Sequence, residues 1–115
     1  MGSKQEQIQA KIGEIENEMK RIGYWQNAPL KPEQYQFRMA FGMDTMAFSQ
    51  WLQFIFIPRV KSLLETGEKF PPDSQNGAQA VREFDGDDNA QALVALLSEF
   101  DELIRRRSFL ERLFG

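Results

Sequence analysis

Neither cysteine nor histidine occurs in the 115 residues. Without cysteine there are no disulfides, no thiolate nucleophiles and no thiolate metal sites, which fits a reducing compartment. Without histidine the chain lacks the usual general base at neutral pH, the commonest metal ligand and every triad that depends on imidazole. Long apolar runs are missing too. The longest, Trp51 to Val60, is interrupted by Gln53, Pro58 and Arg59, and it falls far short of the ~20 residues that span a bilayer. No apolar signal-peptide core stands near the N-terminus, so the chain reads as cytoplasmic, with no membrane contact. Positive charge is also scarce: 14 Lys and Arg stand against 17 Asp and Glu, for a net charge of −3 and a pI near 5.0. That balance argues against direct nucleic-acid binding, which needs a strong basic field. No glycine loop able to cradle a phosphate is present, and no pair of carboxylates is spaced so that their environments would separate their pKa values for acid–base work. The expectation is a protein that is not an enzyme and takes no cofactor and no metal.

What the chain does have is apolar bulk. Hydrophobic residues make up 42% of it, and there are ten phenylalanines. A chain of this size buries on the order of two thirds of its unfolded surface on folding, so one domain over residues 1–115 is expected. Ile8, Ile12, Ile15, Met19 and Ile22 recur at spacings of four and three, the narrow stripe of a bundle helix over Lys4 to Ile22. Ser3 with Glu6 suits a capping box at its start, and Gly23 suits a left-handed residue at its end. Glu16 and Lys20 can pair across one turn, and Gly13 inside the stripe costs about 1 kcal/mol against alanine.

From Tyr24 to Ala40 the helical period disappears. Tyr35, Phe37, Met39 and Phe41 alternate with polar or small residues as in a strand, yet no other run alternates and an isolated strand is not stable. An extended crossing segment with a helical turn starting at Pro32 is expected instead. A central helix then begins near Asp44 or Thr45, either of which can cap it, and runs through Trp51 to a kink or break at Pro58. Leu63 and Leu64 extend it to Thr66-Gly67. A loop over Gly67 to Gly77 follows, with Asn76-Gly77 as a turn, and then a short helix over Ala78 to Phe84 packed through Val81 and Phe84. In the last helix Leu93, Leu96, Leu97, Phe100, Leu103 and Ile104 keep helical spacing, which Leu110, Leu113 and Phe114 extend. Asp88 with Gln91 suits a capping box, while Asp101 with Arg105 and Glu102 with Arg106 suit ion pairs four apart. The fold class is all-α, a small bundle of about four helices with a proline-kinked or broken central helix.

Two charged runs take structural readings. Asp85-Gly86-Asp87-Asp88 lacks the alternating ligands and the terminal glutamate of a calcium loop, since Leu96 stands eleven residues after Asp85, so it reads as a turn and helix cap. Arg105-Arg106-Arg107 spreads over different faces of a helix near its C-terminus, where cations are favoured, and this reading outweighs phosphate contact.

The block from Phe41 to Arg59 crowds aromatic, methionine and aliphatic residues around Asp44, Gln53 and Arg59. Met39, Phe41, Met43, Met46, Phe48 and Trp51 fit ordinary core, a ligand pocket or a groove for a partner. Phe54 to Ile57 point around the whole helix, so that helix is either central or has one face left for a partner. The candidate surface or pocket comprises Phe41, Met43, Asp44, Thr45, Met46, Trp51, Gln53 and Arg59, with Asp44 holding the helix start and Arg59 a charge at the rim.

Phe41-x-Met43-Asp44-Thr45-Met46, Trp51-Leu52-Gln53 and Ile57-Pro58-Arg59 together resemble the YqcC-like family of small bacterial proteins. That resemblance covers most of the chain. It implies a helical bundle with the motif helix inside and no established biochemical function. In some relatives the gene lies beside that of a tRNA pseudouridine synthase, which implies a protein partner in tRNA modification. The function expected is therefore a non-catalytic interaction or accessory protein, meeting a pseudouridine synthase or a second copy of itself as a homodimer. The alternative is a bundle that binds a small apolar ligand in a Met/aromatic pocket. The longer basic end, Arg105 to Gly115, departs from the family pattern, and no role is carried over to it.

Overall fold

A computed structural model describes residues 3–114, with the backbone alone for residues 107–112 and 114. Helix α1 spans Lys4–Arg21 and buries the expected stripe of Ile8, Ile12, Ile15 and Met19. Ser3 Oγ accepts from the Glu6 N–H at 3.1 Å, satisfying one of the free donors of the first turn. Gly23, at φ +81°, ends the helix in a conformation that side chains disfavour. Glu16 accepts from Lys20 at 2.8 Å as expected, and also from Lys61 at 3.3 Å, so one carboxylate ties α1 to the central helix. Its pKa lies below the ordinary glutamate value, first because of the Lys20 hydrogen bond and against the opposing effect of burial.

The crossing segment after α1 contains no strand. It has a 3-10 turn at Pro32–Tyr35, begun by the proline as expected, and a second at Ala40–Gly42. The alternation fails to make a strand because another acceptor takes the backbone donors. The N–H groups of Arg38 and Met39, which strands on either side would engage in a sheet, donate to the Asp44 carboxylate at 3.0 and 3.3 Å.

The central helix, α2, occupies residues 48–66 and starts later than the sequence suggests. It comprises an α-turn at Phe48–Trp51, a π-helical segment at Leu52–Phe56 and an α-helix at Ile57–Thr66. Neither Asp44 nor Thr45 caps it. Ala47 is the cap position, and its N–H donates to Gln50 Oε1 at 2.9 Å. Phe41 and Gly42, both at positive φ, turn the chain just before, so Asp44 and Thr45 close that turn instead. The interruption expected at Pro58 takes the form of the π segment. There the Ile57 N–H reaches back five residues to Leu52 O, and the widened turn accommodates the missing proline donor without ending the helix. Leu52, Phe56 and Ile57 are buried, while Phe54 and Ile55 are half-buried, so this helix is central.

Helix α3, Asn76–Glu83, begins where a turn was expected. Asn76 and Gly77 form its first turn because an acid from the last helix caps it, as described below. Gly77 also permits a close crossing, since a Cβ there would sit 2.4 Å from Ser98 Oγ and 2.7 Å from Ser98 Cα. Phe84 packs inward as expected, but Val81 does not: it is 57% exposed, and Ala80 takes the buried position. A 3-10 turn at Asp88–Ala90 then precedes helix α4, Gln91–Phe114. That extra turn moves the cap from Asp88 to Asp87, which accepts from the Asn89 N–H at 3.2 Å and from Tyr24 Oη, while Gln91 Nε2 donates to Phe84 O and Asp87 O.

Leu93, Leu97, Phe100 and Ile104 line the buried face of α4, which lies against α1 and α3. The ion pairs expected on α4 are rearranged: Asp101 is buried, and Glu102 pairs with Arg105 at 3.3 Å. The side chains of Arg107, Leu110 and Phe114 lie outside the described residues.

Candidate functional site

An aromatic cluster organises the centre of the molecule. Trp51 stacks on Phe48 with ring centroids 6.0 Å apart and on Phe56 at 5.7 Å, and receives the edge of Phe41 at 5.0 Å. Phe56 in turn meets Phe100 of α4 edge-on at 5.0 Å. The π segment sets this arrangement, because Trp51 immediately precedes it and Phe56 is its last residue. Phe41 has φ +58°, a left-handed conformation that costs a non-glycine residue of order 1–3 kcal/mol. Its contacts with Phe48 and Trp51 hold it there.

Beside the cluster lies a cavity of about 410 Å³, open to solvent. Trp51, Phe56, Val60, Phe100 and Ile104 form its apolar base. Ala40 and Phe41 form one wall, and the loop from Phe70 to Asn76 forms another. The exposed residues Arg59 and Asp73 line it at the solvent edge.

The eight candidate residues therefore separate. Phe41, Trp51 and Arg59 come together on the cavity. Met43 lies outside it and is 51% exposed, with its sulfur 3.8 Å from Gln79 Nε2. Met46 is core, tucked beneath Gly42 at 3.2 Å from where a Cβ would stand. Asp44 and Thr45 tie down the preceding segment, Thr45 by donating from Oγ1 to Gln34 O at 2.7 Å and accepting at its own carbonyl from Gln34 Nε2. Gln53, buried in α2, clamps a backbone peptide: its Oε1 accepts from Gln26 N–H at 3.0 Å and its Nε2 donates to Gln26 O at 2.8 Å. No methionine lines the cavity, so the small-ligand alternative keeps the aromatic residues that suggested it but loses the methionines. Met46, Phe48 and Trp51 are core, whereas Met39 and Met43 are about half exposed.

Sequence reasoning missed the polar side of the cavity. Asp101 is 2% exposed and accepts from Ser74 Oγ at 2.5 Å, Asn76 Nδ2 at 3.2 Å and the Gly77 N–H at 2.7 Å. One carboxylate thus caps α3 and anchors the loop that walls the cavity. A signal was available. Asp101 follows Leu97 by four and precedes Ile104 by three, so it stands on the apolar stripe of α4, where an unpaired acid would be costly.

The pKa of Asp44 lies below the ordinary aspartate value of 3.8, chiefly because of the Arg38 N–H, partly offset by desolvation, with the Met39 N–H adding to the depression. A depressed acid stabilises the fold above its unfolded pKa, and that stabilisation is lost as pH falls through the lower folded value. Below pH 3.8 the wild type should therefore lose stability more steeply than Asp44→Asn, and the two should differ by a constant offset at neutral pH. Superimposable acid limbs in urea melts of the two proteins would show that the loop does not depend on this charge.

Among the described residues no three metal-ligating side chains come together, and no helix is long and apolar enough to cross a membrane. What the geometry offers is an apolar recess with one cation and one anion at its edge.

Comparisons with known proteins place this architecture. A family model described as tRNA pseudouridine synthase C matches residues 7–103. The solution NMR structure of YqcC from E. coli resembles the fold with a TM-score of 0.79 at 25% identity, covering 90% of each chain. The chain belongs to the YqcC-like family. It is 31% identical over 100 residues to an uncharacterized protein of Haemophilus influenzae, covering 84% of this chain and 92% of that one. YqcC of Escherichia coli K12, also uncharacterized, is 29% identical over 66 residues, covering 57% of this chain and 61% of YqcC. A protein of Pectobacterium carotovorum named tRNA pseudouridine synthase C is 30% identical over 69 residues, covering 60% of this chain but 18% of that protein. The YqcC-like chain thus spans less than a fifth of the one relative here that carries an enzyme name.

Proposed function

We propose that the chain is a non-catalytic accessory module that works beside a tRNA pseudouridine synthase, with the accessible part of the Phe41 to Arg59 block as its contact. One observation carries this reading. In the Pectobacterium protein the matching segment is 18% of a chain named tRNA pseudouridine synthase C, so most of that protein lies outside the match. Two units joined in one chain act at high effective concentration, and a free unit of the same family is suited to meet the same neighbour through a surface. The residues of this chain support a binding role: the one hydroxyl among the described residues that line its aromatic cavity, Ser74, donates to Asp101, a carboxylate already engaged by Asn76 and Gly77 in capping α3.

The test mixes this protein with a purified tRNA pseudouridine synthase C and follows both complex formation by size-exclusion chromatography with light scattering and pseudouridine in tRNA. A stable heteromeric complex, with no pseudouridine formed by this chain alone, is the expected result. Separate elution together with unchanged tRNA modification would remove the synthase as partner. Elution of this chain as a homodimer that excludes the synthase would assign the contact to a second copy.

A further inference from the structure

We propose that the cavity between α2, α4 and the Phe70 to Asn76 loop is the anchor pocket of that contact, and that it receives a tryptophan of a partner segment carrying an acidic residue on one side and a basic residue on the other. This rests on the interaction reading above and names the chemistry of the partner.

Size comes first. At about 410 Å³ the cavity lies toward the small end of the 300–1,000 Å³ typical of ligand sites, which suits one large side chain better than an extended molecule. Its base is unusually aromatic for so small a recess, with Trp51, Phe56 and Phe100 joined by Val60 and Ile104. An aromatic anchor gains both area and edge-to-face contacts there. Tryptophan is also among the residues that most often carry binding energy at protein interfaces.

A buried acceptor selects indole over phenyl. Asn76 lines the cavity and is 6% exposed. Its amide nitrogen donates to Ser74 Oγ and Asp101 Oδ1, whereas its carbonyl oxygen accepts from no described residue. An acceptor left unmade in such a place is costly, and an indole N–H is a donor without an acceptor of its own. It therefore offers the Asn76 oxygen a donor without adding an unsatisfied group of its own.

The flanking charges follow from the edge of the cavity. Arg59 comes from α2 and Asp73 from the loop, and they do not pair with each other or with any other described residue. Both are exposed. A segment crossing the cavity meets a cation on one element and an anion on the other, so an acid and a base on either side of the anchor satisfy both and set its direction. The half-exposed Met39, next to Ala40 in the wall, adds adaptable apolar surface beside the opening.

The probes are three acetylated and amidated pentapeptides, Glu-Glu-Trp-Lys-Lys, Lys-Lys-Trp-Glu-Glu and Ser-Ser-Trp-Ser-Ser, titrated into 15N-labelled protein. One charged order should bind about tenfold tighter than the serine peptide, because only one order places both flanks correctly. The resonances that move should be the Trp51 indole N–H, the Asn76 side-chain amide and the backbone amides of Ala40 and Phe70. Arg59→Glu should weaken that peptide about tenfold and the serine peptide less than twofold. Ala40→Trp, which fills the opening from an exposed position, should block all three peptides. Both variants alter exposed residues, so unchanged melting temperatures verify that the fold is intact. Equal binding of the three peptides, shifts confined to another face, or an affinity indifferent to Arg59→Glu would overturn the proposal. A synthase complex that survives both Arg59→Glu and Ala40→Trp would overturn it while leaving the accessory reading in place. Tight, order-dependent peptide binding without any synthase complex would support the pocket and reject the synthase.

Discussion

Trp51→Ala should destabilise the protein by about 3–5 kcal/mol, the range for truncating a buried aromatic residue. Trp51 is 7% exposed and contacts the rings of Phe41, Phe48 and Phe56, so its loss opens a void that three other aromatic residues cannot all close. Phe41 would also lose the edge contact that helps to hold its left-handed backbone. Trp25 provides the internal comparison: it is half-buried, with the Lys20 ammonium 5.0 Å from its ring, and Trp25→Ala should cost clearly less. Urea unfolding of the two variants measures both losses, with the slope checked to be unchanged so that the midpoint reports stability. Small and equal losses would mean that the aromatic cluster does not hold the helices together.

Asp101→Ala should cost about 3 kcal/mol, on the scale of a removed charged acceptor that leaves buried donors unsatisfied. Ser74 Oγ, Asn76 Nδ2 and the Gly77 N–H all donate to this one carboxylate, and Gly77 and Asn76 are buried. The effect should be local before it is global. Hydrogen exchange at the Gly77 amide should accelerate more than exchange in α1, because the start of α3 and the loop from Phe70 to Asn76 lose their common anchor. Asp101→Asn should fall between the two, since an amide keeps the size but offers one acceptor oxygen instead of two. A loss below about 1 kcal/mol for Asp101→Ala would show that water replaces the carboxylate at this helix start.

These two residues differ in how visible they were in the sequence. Trp51 opens the most apolar segment, which runs on to the proline that predicts an interruption, and its burial follows from that neighbourhood. For Asp101 the spacing of four on one helix suggests an ion pair with Arg105. The acid is instead satisfied by residues 24 to 27 positions earlier, and the local spacing says nothing about them. The same limit explains Gly77, read as a turn residue until Ser98 is seen against it. It also explains Gln53, whose buried amide is matched by the peptide of Gln26, 27 residues away.

The amino-acid sequence by itself determined the all-α class, the stripe of α1, the apolar face of α4, the turn at Pro32 and the ends at Gly23 and Gly67. Each of these depends on contacts within one or two helical turns, where the period of 3.6 residues and the conformational preferences of proline and glycine are decisive. Only the tertiary structure decided that Asp44 would hold a loop rather than cap a helix, that Asp101 would cap α3, and that Phe41, Trp51 and Arg59 would meet at one cavity while Met43 and Met46 would not. In those cases the partner is a backbone donor or a side chain brought close by the packing of other elements. A hydrogen bond or a ring contact acts over a few ångströms of space, however many residues of chain lie between its ends.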